Sequence, residues 1–73
     1  MTNTEIIELA ENFLNNRKVK YLVPGKIGRR EYNMVEVFFL DPLTLVPGIF
    51  IDHPEIKVWV HTDTREVELI YLL

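Results

Sequence analysis

An α+β domain, with one N-terminal helix packed on a four-stranded antiparallel meander, is the fold class the sequence predicts. Three features predict it: an amphipathic stretch of helical period at the N-terminus, alternating apolar segments through the remainder, and a closing pair of segments whose registers match as a hairpin.

Thr2 and Glu5 have the Thr-x-x-Glu spacing of a capping box, in which a hydroxyl and a carboxylate satisfy amides left open by the first helical turn. Ile6, Leu9, Ala10, Phe13 and Leu14 then fall on one stripe with Ile7 at its margin, while Glu5, Glu8, Glu11 and Asn12 take the opposite side. Early acids suit a helix N-terminus, and Asn15-Asn16 followed by Arg17 makes a stop. The helix is placed at residues 3–16.

Val19, Tyr21 and Val23 alternate with Lys18, Lys20 and Leu22, which predicts a half-buried first strand over residues 18–23, ended by Pro24-Gly25. A connector through Arg29 or Arg30 is expected next. Its run Gly25-Lys26-Ile27-Gly28-Arg29-Arg30 has a phosphate-loop look, but it follows an antiparallel strand and opens no helix, so the amide cradle is missing. The second strand, residues 31–40, ends at Asp41-Pro42 because proline restricts its neighbour and cannot donate to a ladder. Side chains alternate across a strand, so Val35, Val37 and Phe39 point one way and Met34, Phe38 and Leu40 the other, with Glu36 the charge between them. Two apolar faces mark this strand as central.

Residues 41–55 hold Pro42, Pro47, Pro54 and Gly48, which exclude a regular helix, together with Leu43, Leu45, Val46, Ile49, Phe50 and Ile51. A segment this apolar is expected to wrap the sheet, to pair briefly around residues 49–51, or to dock on a partner. The last two strands, residues 56–61 and 66–72, are joined by two or four residues around Asp63-Thr64. That register sets Val60 opposite Val67, Val58 opposite Leu69 and Ile56 opposite Tyr71 on one face. It sets His61 opposite Glu66, Trp59 opposite Glu68 and Lys57 opposite Ile70 on the other, whereas a one-residue slip would bury Glu66 and Glu68.

One helix shields one face of a sheet, and the second apolar face of the central strand needs other cover. Met34, Phe38, Leu40 and Trp59, with Leu45 and Phe50 of the apolar segment, are therefore the candidate interface of a homodimer or a protein partner. Two alternatives are open: residues 43–51 fold over Trp59, or the uncovered face is that of Val35, Val37 and Phe39.

At 73 residues and without cysteine, the chain must rely on apolar burial alone, near the size at which association commonly adds stability. A cysteine-free chain without a signal-peptide pattern, in which no apolar run approaches the ~20 residues of a membrane span, is expected to be cytoplasmic and to make no use of a membrane. The net charge of -3 argues against general nucleic-acid binding, yet six of the eight basic residues lie between Arg17 and Arg30 with no acid among them. Lys18, Lys20, Lys26, Arg29 and Arg30 are the candidate basic patch. They read first as an edge strand charged against aggregation, and second as the contact of a nucleic-acid accessory protein.

His53 and His61 with Asp52 and Asp63 are the one conceivable metal set, but the i, i+8 separation crosses Pro54 and matches no ligand spacing. Local roles are expected instead: Asp52 bonding backbone amides and His61 pairing across the ladder with Glu66. Serine is absent, and Thr62 and Thr64 sit in a turn. No catalytic, metal-binding or cofactor-binding residue is assigned, and no cofactor is expected.

Val58-Trp59-Val60-His61-Thr62-Asp63-Thr64-Arg65-Glu66-Val67 resembles the terminal hairpin of small PepSY-like and cystatin-like domains, written V-W-V-D-x-x-T-G-E-V, and the helix-then-meander order agrees. His61 stands where that pattern has aspartate and Arg65 where it has glycine. A positive φ at Arg65 would cost roughly 1 kcal/mol. The resemblance implies a binding or inhibitory module, as in some bacterial toxin-immunity proteins of similar layout, rather than an enzyme, and it transfers no functional residue to this chain. The function expected is a non-enzymatic interaction module that self-associates through an apolar sheet face, with a nucleic-acid accessory protein second and an inhibitor or immunity-type protein third.

Overall fold

The computed structural model describes residues 1–50 and 54–70. Helix α1 (Asn3–Asn16) precedes strands β1 (Leu22–Glu31), β2 (Met34–Leu40), β3 (Glu55–His61) and β4 (Val67–Leu69), which form one antiparallel sheet in the order β1-β2-β3-β4. This is the α+β meander the sequence predicts.

The capping box forms as its spacing requires: the Glu5 amide donates to the Thr2 hydroxyl at 3.2 Å, and the Thr2 amide donates to the Glu5 carboxylate at 3.1 Å. At the other end the Val19 amide donates to the Leu14 carbonyl at 3.0 Å and the Lys18 amide to that of Asn15 at 3.1 Å. These two bonds close a Schellman motif, and they put Lys18 in the left-handed region at φ 58, where glycine is the usual residue. Lys18 and Lys20 thus belong to the link between α1 and β1, while Val19 and Tyr21 turn inward against the core.

Ile6, Ala10 and Leu14 are buried against Val35, Val37, Phe39, Val58 and Val60, so α1 covers the face of β2 that carries Val35, Val37 and Phe39. Ile7, Leu9, Phe13, Ile27, Ile56, Val67 and Leu69 pack around that centre. Fully burying a large apolar side chain stabilises the fold by about 1.5 to 3 kcal/mol, and these residues come from the helix and all four strands.

Strand β1 departs from the expectation of residues 18–23. It starts at Leu22 and continues through Pro24, Gly25 and Gly28 to Glu31, so the segment expected as a connector is itself the edge strand. Two register shifts make this possible, one between Leu22 and Lys26 and one between Ile27 and Arg30. At an edge, Pro24 removes no ladder bond that a neighbour needs. Gly25 is required because a Cβ there would lie 2.7 Å from Cζ of Phe39, whose ring is 1% exposed. Val23, expected to be half-buried, is 67% exposed.

Strand β2 begins at Met34 rather than residue 31, because Tyr32 and Asn33 form a two-residue turn with Tyr32 at φ 38. The β3–β4 hairpin has the expected register, Val60 opposite Val67, Trp59 opposite Glu68 and Val58 opposite Leu69. Its four-residue connection is closed by the His61 amide donating to Glu66 and the Arg65 amide donating to His61, each at 2.8 Å, and Arg65 takes φ 64. Strand β4 ends at Leu69; the expected pairing of Ile56 with Tyr71 and the extension to residue 72 lie outside the described residues.

Between β2 and β3 a single 3-10 turn, Pro42–Leu45, is capped by the Asp41 carboxylate accepting from the Leu43 amide at 2.9 Å. Pro42 and Leu43 border a groove with Val19, Lys20, Ile56 and Leu69, which places this turn on the helix side of the sheet. Ile49 and Phe50 join no strand. Leu45 and Phe50 are 70% and 89% exposed, so the described part of the segment does not fold over Trp59.

Candidate functional site

The face of the sheet turned away from α1 carries Met34, Phe38, Leu40 and Trp59, four of the residues expected at an interface. The strand register arranges it in cross-strand rows. Leu22, Leu40 and Glu55 form the row nearest the 3-10 turn, and Lys26, Phe38 and Lys57 the next, with the Lys57 carbonyl accepting from the Ile70 amide. A third row holds Arg29, Glu36, Trp59 and Glu68, and a fourth holds Glu31, Met34 and His61.

The third row is the centre of the face, and its geometry follows from the shift in β1. Gly28 and Arg29 together oppose the single residue Glu36, a bulge that brings both toward the same side. Because Gly28 has no side chain, that of Glu36 lies down over it: an added Cβ would come within 3.1 Å of the Glu36 Cδ and 3.2 Å of its Cγ. Glu36 is consequently only 8% exposed although it faces away from the helix. The bulge also carries the Arg29 guanidinium over the Trp59 ring, 5.7 Å from its centroid, while Glu31 lies 3.8 Å from the same guanidinium. An exposed cation over an indole is worth about 0.5 to 1 kcal/mol, enough to hold Arg29 in place without sealing the ring. Met34, Phe38 and Trp59 are half-buried, and Leu40 is 49% exposed.

His61 pairs with Glu68, Nε2 to Oε1 at 3.5 Å, and not with the Glu66 side chain expected; Glu66 supplies only its carbonyl, to the His61 amide. The diagonal partner wins because Glu68 shares the Trp59 row, within reach of a long side chain. His53 and Asp52 lie outside the described residues. Among the described residues no three His, Asp or Glu side chains gather as metal ligands.

The remaining expected residues separate. Leu45 and Phe50 sit on the segment after the 3-10 turn, and neither is placed in a row of the sheet with Trp59. The basic residues do not form one patch: Arg29 lies over Trp59, and Lys26 shares the Phe38 row. Arg30 instead donates to the Asn3 side chain at the start of α1. At the end of the sheet where both hairpin turns meet, Asn33 donates to the Asp63 carboxylate at 2.8 Å, and this bond, ahead of backbone amides, holds the Asp63 carboxyl below its ordinary value. Glu5 at the same end is lowered chiefly by the Thr2 amide.

No protein-family model, curated protein or solved structure matches the chain.

Proposed function

We propose that the protein is a non-enzymatic interaction module that self-associates through the sheet face not covered by α1. The observation that carries this reading is that half-buried Met34, Phe38 and Trp59 lie together on a face that no described segment covers. It agrees with the binding role that the hairpin's likeness to cystatin-like domains implies, and a cytoplasmic setting belongs to the same reading.

Charge selects how two copies would meet. In face-to-face packing about a twofold axis parallel to the strands, β1 of one copy lies over β4 of the other at equal height, so Arg29 of each meets Glu68 of its mate. An axis across the strands would bring Lys26 of one copy onto Arg29 of the other, which like charge disfavours. The parallel axis leaves Glu31 facing Glu66 only at the wet rim, where screening makes the repulsion small.

Size sets the strength. Four strands about 4.8 Å apart and a seven-residue β2 at about 3.3 Å per residue give a face of roughly 450 Å² per copy. That flat outline is small beside the roughly 800 Å² of accessible surface per partner in a standard interface, so a weak association is proposed, and its test spans about 10 µM to 1 mM. Sedimentation velocity over that range should show a rising weight-average mass, with Trp59→Ala shifting the transition to higher concentration. A clean monomer at about 1 mM would overturn the reading.

A further inference from the structure

The sheet has two unlike ends. At one, the hairpin turns and the start of α1 bring together Glu5, Glu31, Asp63 and Glu66 with three arginines: Arg65 4.0 Å from Glu5, Arg29 3.8 Å from Glu31, and Arg30 bonded to Asn3. At the other, α1 ends, β1 begins and β2 runs into the 3-10 turn; this end carries Arg17, Lys18, Lys20 and Lys26. The described acids there are Asp41, engaged in capping the turn, and half-buried Glu55. From this end projects Pro42–Phe50, nine residues without a charge. Leu43, Leu45, Val46, Ile49 and Phe50 on it are all exposed, Leu45 at 70% and Phe50 at 89%. A groove of about 480 Å³ bordered by Pro42 and Leu43 has Lys20 at its margin, and a second of about 300 Å³, between β1 and β2, has Lys26.

We propose that this end docks on the surface of anionic phospholipid bilayers, with Leu45 and Phe50 entering the headgroup region and Lys18, Lys20 and Lys26 holding the phosphates. No helix among the described residues is long and apolar enough to cross a membrane, so the contact is with the surface alone. Charge complementarity chooses the occupant. Protein interfaces are depleted of lysine, whereas separate flexible ammonium groups at the same end of the sheet as exposed apolar side chains suit a layer of mobile anionic headgroups. At the opposite end Glu5, Glu31, Asp63 and Glu66 are interspersed with Arg29, Arg30 and Arg65, so the excess of cations lies at the end that carries the apolar segment, although the whole chain is net negative. The contact does not depend on dimerisation; a dimer about the strand-parallel axis would present both apolar segments on one side and tighten it by avidity.

Co-sedimentation with vesicles tests this, comparing phosphatidylcholine alone with an equimolar phosphatidylcholine–phosphatidylglycerol mixture. Each lysine near an anionic surface raises partition about fivefold, so the mixture should retain at least tenfold more protein, falling steeply between about 50 and about 500 mM NaCl. Leu45→Asp with Phe50→Asp, and separately Lys20→Glu with Lys26→Glu, should each reduce retention at least tenfold, and Arg65→Glu at the far end should not. All of these positions are exposed, and circular dichroism checks that the variants fold. Equal retention by both vesicle types, or retention untouched by the apolar pair, would overturn the proposal. So would an apolar-pair variant that alters only the lipid-free association state, which would mark this end as a protein contact.

Discussion

Gly25 and Gly28 occupy the same edge strand and both lack room for a Cβ, yet substituting them should have different costs. At Gly25 the obstacle is the Phe39 ring, with Cζ 2.7 Å and Cδ2 3.0 Å from the added atom, and that ring is 1% exposed and 4.8 Å from the Tyr21 ring. A buried ring between two elements cannot step aside, and overpacking of this kind costs about 1 to 3 kcal/mol. The reduced unfolded-state entropy of alanine returns about 0.4 to 1 kcal/mol, leaving a net loss near 1.5 kcal/mol. At Gly28 the obstacle is the far end of the Glu36 side chain, which can rotate toward solvent. There the same entropy gain offsets the displacement, and Gly28→Ala should lie within about 0.5 kcal/mol of the parent. Urea titration of both variants measures this; a loss of about 1.5 kcal/mol is a large share of the roughly 4 to 11 kcal/mol expected of a chain this size. Gly28→Ala proving as destabilising as Gly25→Ala would refute the reasoning.

Other outcomes follow from the caps, the acids and the aromatic row. Lys18→Gly should raise stability by about 1 kcal/mol, visible as a Tm increase of about 4 to 8 °C, because the left-handed C-cap residue loses its Cβ, while Lys18→Ala should give no such gain. Thr2→Ala should cost about 1 kcal/mol in chemical denaturation by opening the capping box. Glu5 and Asp63 have folded-state carboxyls below their unfolded values, so their stabilisation is present above the ordinary carboxylate range and is lost as pH falls through the lowered values. Glu5→Gln and Asp63→Asn should therefore flatten the acid limb of a stability–pH curve and leave its neutral region's slope unchanged. Arg29→Ala should increase acrylamide quenching of Trp59 by removing the guanidinium over its ring.

The helix was legible because capping box, apolar stripe and stop all point to one segment, and the last hairpin because only one register keeps Glu66 and Glu68 out of the core. Strand β1 was not legible. Pro24-Gly25 ordinarily ends a strand, and what kept this one going was long range: an edge position and the Phe39 ring demanding glycine beside it. Misplacing β1 hid the centre of the face, since Arg29 meets Trp59 only when residues 26–31 form a strand. The alternation of Lys26 and Ile27, followed by a glycine opposite the lone acid of β2, was the signal that could have revealed the Gly28–Glu36 contact. Met34, Phe38 and Leu40 share a face by strand parity and Trp59 joins it through the β2–β3 register, whereas Leu45 and Phe50 follow a turn that parity does not govern.

The most direct test of self-association through the open face is a charge exchange at its paired edges, read by sedimentation equilibrium. Each symmetric interface would contain the Arg29–Glu68 contact twice, so Arg29→Glu or Glu68→Arg alone should weaken the dimer about tenfold or more. The double variant should return to within about threefold of the parent, because exchanging both signs preserves attraction between copies. Folded single variants that associate as the parent does, or a double variant no stronger than either single, would contradict the account.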